Sequence, residues 1–236
     1  MIRIRIGTQR VQFYSVKNLP FHPRSNQKNE LPLTEKSTNS HREQMEPLSS
    51  RERLIQTTAQ LLQERGFHGT GLKDILKLSD TPSGSLYHHF PNGKEELTAA
   101  AISSAGERLE KQIAAAVTHH TDLFGVLQEF TDHLGQELEE SGFQKGCPIA
   151  TVVLEVAAEN DRIQKVCSET YFRWQNLLQA LLLKSGMQES RVESIAILVL
   201  ATVEGALVLC RAHRSIEPLK TVRKQLEGVL NTLIPI

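Results

Sequence analysis

Residues 66–95 read GFHGTGLKDILKLSDTPSGSLYHHFPNGKE. Leu72–Leu78 is a short helix-forming run. Ser79-Asp80-Thr81-Pro82 follows as a turn, with Thr81 able to cap and Pro82 suited to the first helical position. A third helix is expected over about Ser83–Phe90, where Pro91-Asn92-Gly93 breaks it. Upstream, Ser50 can cap a longer helix in which Leu54, Thr58, Leu61 and Leu62 share one face, as do Ile55, Ala59 and Leu62; Gly66 ends it. Two short helices joined by a tight turn behind a longer amphipathic one describe a helix-turn-helix, whose last helix can enter the DNA major groove. Its composition suits that task. Ser83, Gly84 and Ser85 are small enough for close approach to DNA, and Tyr87, His88 and His89 are hydrogen-bonding aromatics one turn later. Leu86 and Phe90, four apart, would hold the helix on the core.

Outward from this stretch the chain continues as helix. A long helix starts near Lys94 and runs toward Val117, and five more are expected over about Leu123–Ser141, Pro148–Ala158, Asp161–Ser185, Ser190–Arg214 and Glu217–Leu233. No strand pattern competes, so the fold class is all-α. Leu219, Val222, Leu226, Val229 and Leu233 are spaced 3, 4, 3, 4, a seam of coiled-coil type. The preceding helix is apolar nearly all round from Ile195 to Cys210, and Gly205 and Ala206 permit close approach. Such a helix needs partners on both sides, and a second subunit supplies one, which predicts a homodimer. The middle helices offer a mixed lining of Phe130, His133, Val152, Val156, Phe172, Trp174 and Leu178, with Glu155 and Glu204 among apolar neighbours. Each aromatic can equally be ordinary core; together they have the chemistry of an organic-ligand pocket.

The 236 residues carry 27 basic and 27 acidic side chains. Neutral overall, the chain is graded: residues 1–47 hold eight Lys/Arg against four Asp/Glu, and residues 101–236 hold thirteen against seventeen. Residues 17–47 are rich in Asn, Ser, Pro, Lys and Glu, a composition that cannot bury enough surface to fold. Residues 1–47 therefore read as a disordered tail, as a basic arm along DNA, or as the product of a start assigned upstream of Met45. No apolar signal-peptide core follows Met1–Ile6, and the longest apolar run, Ile195–Val203, is short for a membrane span, which together predict a cytoplasmic protein. Cys147, Cys167 and Cys210 share no CxxC spacing, and His119, His120 and His133 form no metal-ligand pattern, so neither a metal nor a cofactor is expected. Cys147, in Gly146-Cys147-Pro148 at a helix start, is either a buried small residue or a reactive thiol. There is no nucleophile elbow, HExxH or phosphate-binding glycine loop, so no enzyme is expected.

The phrases GTGL and GSLYHHFPNGKE, with GCPIA and SRVESIAILVLATVEGALVL further on, resemble the TetR family of repressors, and its LmrA/YxaF-like subgroup in particular. The N-terminal likeness covers about Ser50–Ile102, and a looser one covers most of the rest. The resemblance implies a DNA-binding domain over 48–102 and a ligand-binding and dimerisation domain over 103–236. It implies phosphate contacts from Tyr87, His89 and Lys94, contacts at or near the bases from Ser83, Gly84, Ser85 and His88, and backbone contacts near Thr70 and Lys73. Gly71 and Ser83 depart from the Ser/Thr and Lys common at those positions. The function implied is a repressor that holds double-stranded operator DNA as a homodimer until a small apolar or aromatic inducer releases it. The alternative is a thiol redox or electrophile sensor acting through Cys147.

Overall fold

The computed structural model describes residues 48–120 and 122–234. The expectations for residues 1–47 lie outside the described residues. Among those described, nine helices and no strand are present: α1 (Ser50–Arg65), α2 (Leu72–Leu78), α3 (Ser83–His89), α4 (Lys94–His119), α5 (Leu123–Glu140), α6 (Pro148–Val156), α7 (Asp161–Lys184), α8 (Glu189–His213) and α9 (Glu217–Leu233). Each expected helix forms, with ends within about two residues of the sequence reading.

Two caps differ from expectation. The N-cap of α1 is Ser49, not Ser50. Its Oγ accepts from the Glu52 N–H (3.2 Å) while Glu52 Oε2 accepts from the Ser49 N–H (2.9 Å), a reciprocal capping box. The Ser49 hydroxyl, which also donates to Glu52 Oε2 (2.7 Å), and then the Ser49 N–H favour the ionised carboxylate and hold the Glu52 pKa below its ordinary value. The N-cap of α3 is Pro82, with no side-chain cap; the Thr81 hydroxyl is buried and donates back to Ser79 O (3.1 Å). Gly66 ends α1 at φ +69°, a backbone conformation that favours glycine, and the Glu155 carboxylate lies against its open side.

Four apolar clusters form among the described residues, the smallest of them Ile113, Ala116 and Val126 between α4 and α5; the other three carry most of the core. Leu54, Ile55, Leu61, Ile75, Leu86, Phe90 and Leu97 bind α1–α3 to the start of α4, with Leu86 and Phe90 buried as expected. Ala59 and Leu62, from the adjoining flank of α1, join Ile102, Ile149, Val152, Val156 and Trp174 in the second cluster. The third is built from α5, α7, α8 and α9 around Leu138, Leu182, Val203, Leu207 and Leu226. α4 spans roughly 39 Å at 1.5 Å per residue, and residue 102 falls inside it. The first two clusters therefore share α1 and α4 as common beams. α8, with mean hydropathy 2.1 over its most apolar window, is the one described helix long and apolar enough to cross a membrane, yet it packs between α7 and α9.

Candidate nucleic-acid interface and cavity

The head is tied together by polar contacts that leave one face of α3 free. Arg53, one turn into α1, donates from Nε to Ser79 O (3.0 Å), from Nη1 to Leu48 O (2.8 Å) and from Nη2 to Asp80 O (3.3 Å). It thereby satisfies carbonyls at the end of α2 that the helix leaves unpaired. Asp80 turns the chain at φ +48°. On the inner side of α3, the Ser85 hydroxyl donates to Ser50 Oγ (3.1 Å), and Ser50 Oγ lies 3.0 Å from His89 Nε2. Ser85 and His89 are half-buried, whereas Ser83, Gly84, Tyr87 and His88 are exposed on a single face. A Cβ at Gly84 would meet nothing within 4 Å, so the protein's own packing does not demand glycine there.

The residues proposed around α3 divide accordingly. Lys73 is exposed. Thr70 is buried, and its hydroxyl donates to Gly66 O (2.6 Å), which closes the turn after α1 and corrects the expectation of a backbone contact with DNA. Lys94 is half-buried, with its ammonium 4.1 Å from the centroid of the Phe67 ring. Burial lowers its pKa, and the Glu155 charge partly opposes that shift. This cation is therefore engaged inside the protein, and not by phosphate alone as the sequence suggested. Glu155 itself accepts from the His68 N–H (2.8 Å), and the Gly146 N–H donates to Gln63 O (3.1 Å), so both ends of the α6 segment are fastened to the end of α1 and the turn after it.

Beneath α6 lies a cavity of about 120 Å³. α4 contributes Leu109 and Ile113, α5 Phe130 and Leu134, α7 Trp174 and Leu178, and α8 Val203 and Glu204; Cys147 and Pro148 close one end. Phe130, Trp174 and Leu178 are where the sequence reading placed them. The other four proposed lining residues are not. Val152 and Val156 are fully packed in the second cluster. His133 stands outside the lining, 2.7 Å from Gln112 Nε2. Phe172 is 61% exposed. It lies two residues, or about 200° of helical turn, from Trp174, so the two cannot face one cavity. Trp174 is fixed by its Nε1–H bond to Gly106 O (3.3 Å). His119 and His120 both meet the Glu129 carboxylate, at 3.1 and 2.8 Å, and their hydrogen bonds and charge lower the Glu129 pKa.

Cys147 caps α6, where the helix terminus favours a thiolate. The opposite prevails: burial, reinforced by the nearby Glu204 carboxylate, pushes the thiol well above its ordinary pKa. Its remaining exposed surface belongs to the cavity wall. Of the two readings of Cys147, this environment favours the buried small residue over the reactive thiolate. Glu204 is also raised by burial, and donors at Cys147 and Tyr171 only partly counter this.

The comparisons with known proteins cover both halves of this architecture. Residues 54–101 match the family described as bacterial regulatory proteins, tetR family, and residues 124–225 match the C-terminal domain of LmrA/YxaF-like transcriptional regulators. An uncharacterized HTH-type transcriptional regulator of Mycobacterium tuberculosis is 34% identical over 190 residues, 78% of this chain and 96% of the relative. The HTH-type transcriptional regulator LmrA of Bacillus subtilis is 31% identical over 170 residues, 72% of this chain and 90% of LmrA. The chain belongs to the TetR family of transcriptional regulators. The crystal structure of a TetR regulator from Legionella pneumophila has the same fold, with TM-score 0.71 and 22% identity over 78% of this chain and 99% of that one. As a TetR-family regulator it is not an enzyme.

For this TetR-family chain, sequence reasoning missed the role of Arg53, the Gly146–Gln63 bond and the α4 wall of the cavity, and it set Glu155 with the pocket residues, whereas Glu155 lies outside the lining and holds the His68 N–H. The α4 wall had a signal: Ala105, Leu109, Ile113 and Ala116 continue an apolar stripe beyond the head. Arg53 had none, because its partners are backbone carbonyls 26 and 27 residues away.

Proposed function

We propose that this TetR-family regulator is a cytoplasmic repressor that binds operator DNA as a homodimer and is released by a small apolar or aromatic molecule in the cavity. The observation that carries the reading is that α4 belongs to both sites. Its first turns bury Leu97 in the head core, and Leu109 and Ile113 form cavity wall roughly 18–24 Å further along the same helix at 1.5 Å per residue. A ligand that displaces this wall tilts the head.

The DNA contact assigned to the head is the exposed face of α3: Ser83, Gly84 and His88 toward the bases and Tyr87 toward phosphate, with Lys73 as a further phosphate contact. The dimer contact assigned to the bundle is the outer face of α8 and α9. Ile197, Leu198, Val208, Leu209 and Val229 are exposed large apolar residues there, and a Cβ at Gly205 or Gly228 would meet nothing within 4 Å. Such a surface supports close helix packing by a second copy. The seam proposed from the sequence serves a different purpose in part, since Leu219 and Leu226 are buried in the chain's own core. In a dimer the two α3 helices must stand about 34 Å apart, or a multiple of it, to meet successive major grooves. A change in α4 tilt alters that separation.

The test begins with selection of bound sequences from random DNA, followed by fluorescence anisotropy on the selected operator. One sequence should be bound tightly and in proportion to dimer, and His88→Ala should change the preferred base at one position of each half-site. A small molecule that releases DNA must also bind less tightly when operator is present, by the same factor. Selection that yields no preferred sequence would refute the reading.

A further inference from the structure

Glu204 is out of place in its surroundings. It stands on α8 among Val199, Leu200, Val203 and Leu207, all of them cavity wall. Its Oε1 has a long contact from the Tyr171 hydroxyl (3.5 Å), the weakly donating Cys147 thiol stands beside the carboxyl, and Oε2 is buried with no hydrogen-bond partner. The other buried unpartnered oxygens among the described residues, on Thr58 and Thr98, are not in the cavity wall. Of the other charged or amide groups around the cavity, Arg108 is exposed, Gln112 bonds His133 (2.7 Å), Glu137 lies 3.7 Å from His133, and Gln63 and the half-buried Lys145 complete the polar lining. A buried carboxylate with so few and weak donors is costly, and a bound molecule that donates to it offsets the cost. Rotation about the terminal carboxylate torsion, a soft one, presents either oxygen to the cavity.

We infer that the cavity takes a largely apolar molecule carrying a hydrogen-bond donor at one end, and that the Glu204 carboxylate receives that donor. The inference rests on the effector reading of the cavity. The body of the ligand lies along Leu109, Ile113, Phe130 and Leu178; the donor selects among ligands of similar shape. A hydroxyl and an ammonium share the required chemistry, and the charge of the group distinguishes them.

The test uses the full chain and three probes of matched shape: pentylbenzene, 4-phenylbutan-1-ol and 4-phenylbutylammonium. Trp174, the chain's one tryptophan, lines the cavity and reports binding by fluorescence. At least one donor-bearing probe should bind about tenfold or more tightly than pentylbenzene, the scale of a hydrogen bond to a charged group. Glu204→Leu should level the three affinities while pentylbenzene still binds. Glu204→Gln should keep a preference that comes from the hydroxyl and abolish one that comes from the ammonium. Equal binding of all three by the parent protein, or a preference that survives Glu204→Leu, would overturn the inference and leave the cavity reading in place. Failure of every probe to perturb Trp174 would overturn both. A donor probe that binds through Glu204 without releasing operator DNA would sustain the recognition and refute the effector role.

Discussion

Placing a charge on α8 separates the dimer surface from the subunit core. Val208 is 57% exposed and Leu209 48%, so Val208→Glu sets a carboxylate in water on an isolated subunit. Its expected effect on subunit stability is within about 0.5 kcal/mol, that of an ordinary surface change. In a twofold dimer the same position is covered on both chains, so two carboxylates lose water together. Desolvation of an ion costs several kcal/mol; even about 2 kcal/mol for each gives about 4 kcal/mol. At 1.4 kcal/mol per factor of ten, the dimer dissociation constant should rise roughly a thousandfold. Leu226→Glu provides the contrast. Leu226 is 4% exposed inside the third cluster, so a carboxylate there should disrupt the subunit itself. Sedimentation velocity and thermal melts followed by circular dichroism distinguish the two. Val208→Glu should sediment as a helical monomer with nearly the parental unfolding temperature, and Leu226→Glu should lose the cooperative melt. A Val208→Glu protein that remains dimeric at micromolar concentration would refute the assignment of this face.

Arg53→Ala removes three charge-assisted hydrogen bonds from the head and should cost about 2 kcal/mol, which a thermal melt would register as a fall of roughly 5 °C. Lys73→Ala should lower the salt slope of operator binding by about 1, while Lys94→Ala should lower the melting temperature with a smaller change in slope, because its ammonium is seated on Phe67; equal slope changes in the two variants would contradict that placement. Burial raises the Glu204 pKa, so above the ordinary carboxylate value the unfolded chain ionises more readily than the folded one, and this group makes stability fall as pH rises from about 4.5 toward the folded pKa. Glu204→Gln should therefore raise the melting temperature more at pH 7.5 than at pH 4.5, and an equal gain at both would show that the carboxyl is not desolvated.

The helices were legible because their apolar periods and breakers are local: Gly66, Pro82, the Pro91-Asn92-Gly93 break and Pro148 all mark ends that form. Which of two adjacent serines capped α1 was not obvious, and Glu52 three residues after Ser49 was the decisive signal. The α9 seam shows how a sound pattern can drift. A 3, 4, 3, 4 spacing has a period of 3.5, whereas a straight helix turns every 3.6 residues. By the second heptad the inward position has moved to Leu230, which is buried, and Val229 has rotated out to 42% exposure. The cavity was less legible, since its wall is drawn from seven helices whose relative rotation is set by packing. Phe172 was an aromatic in the right helix on the wrong face. Nor does composition reveal that Ser85 and His89 point inward, because that follows from where Ser50 lies in space.

The inward chain from Ser85 through Ser50 to His89 also bears on how such a protein can diverge. Within α3, the positions that can vary with least disturbance to the head are Ser83, Gly84, Tyr87 and His88, which are exposed and make no side-chain hydrogen bond within the described residues. A duplicated copy could acquire a new target site through these positions alone while inheriting its foldedness intact. Changes at Ser85 or His89 would first have to be compensated at Ser50, on another helix. The evolutionary freedom of the reading head is thus confined to one narrow face of a seven-residue helix.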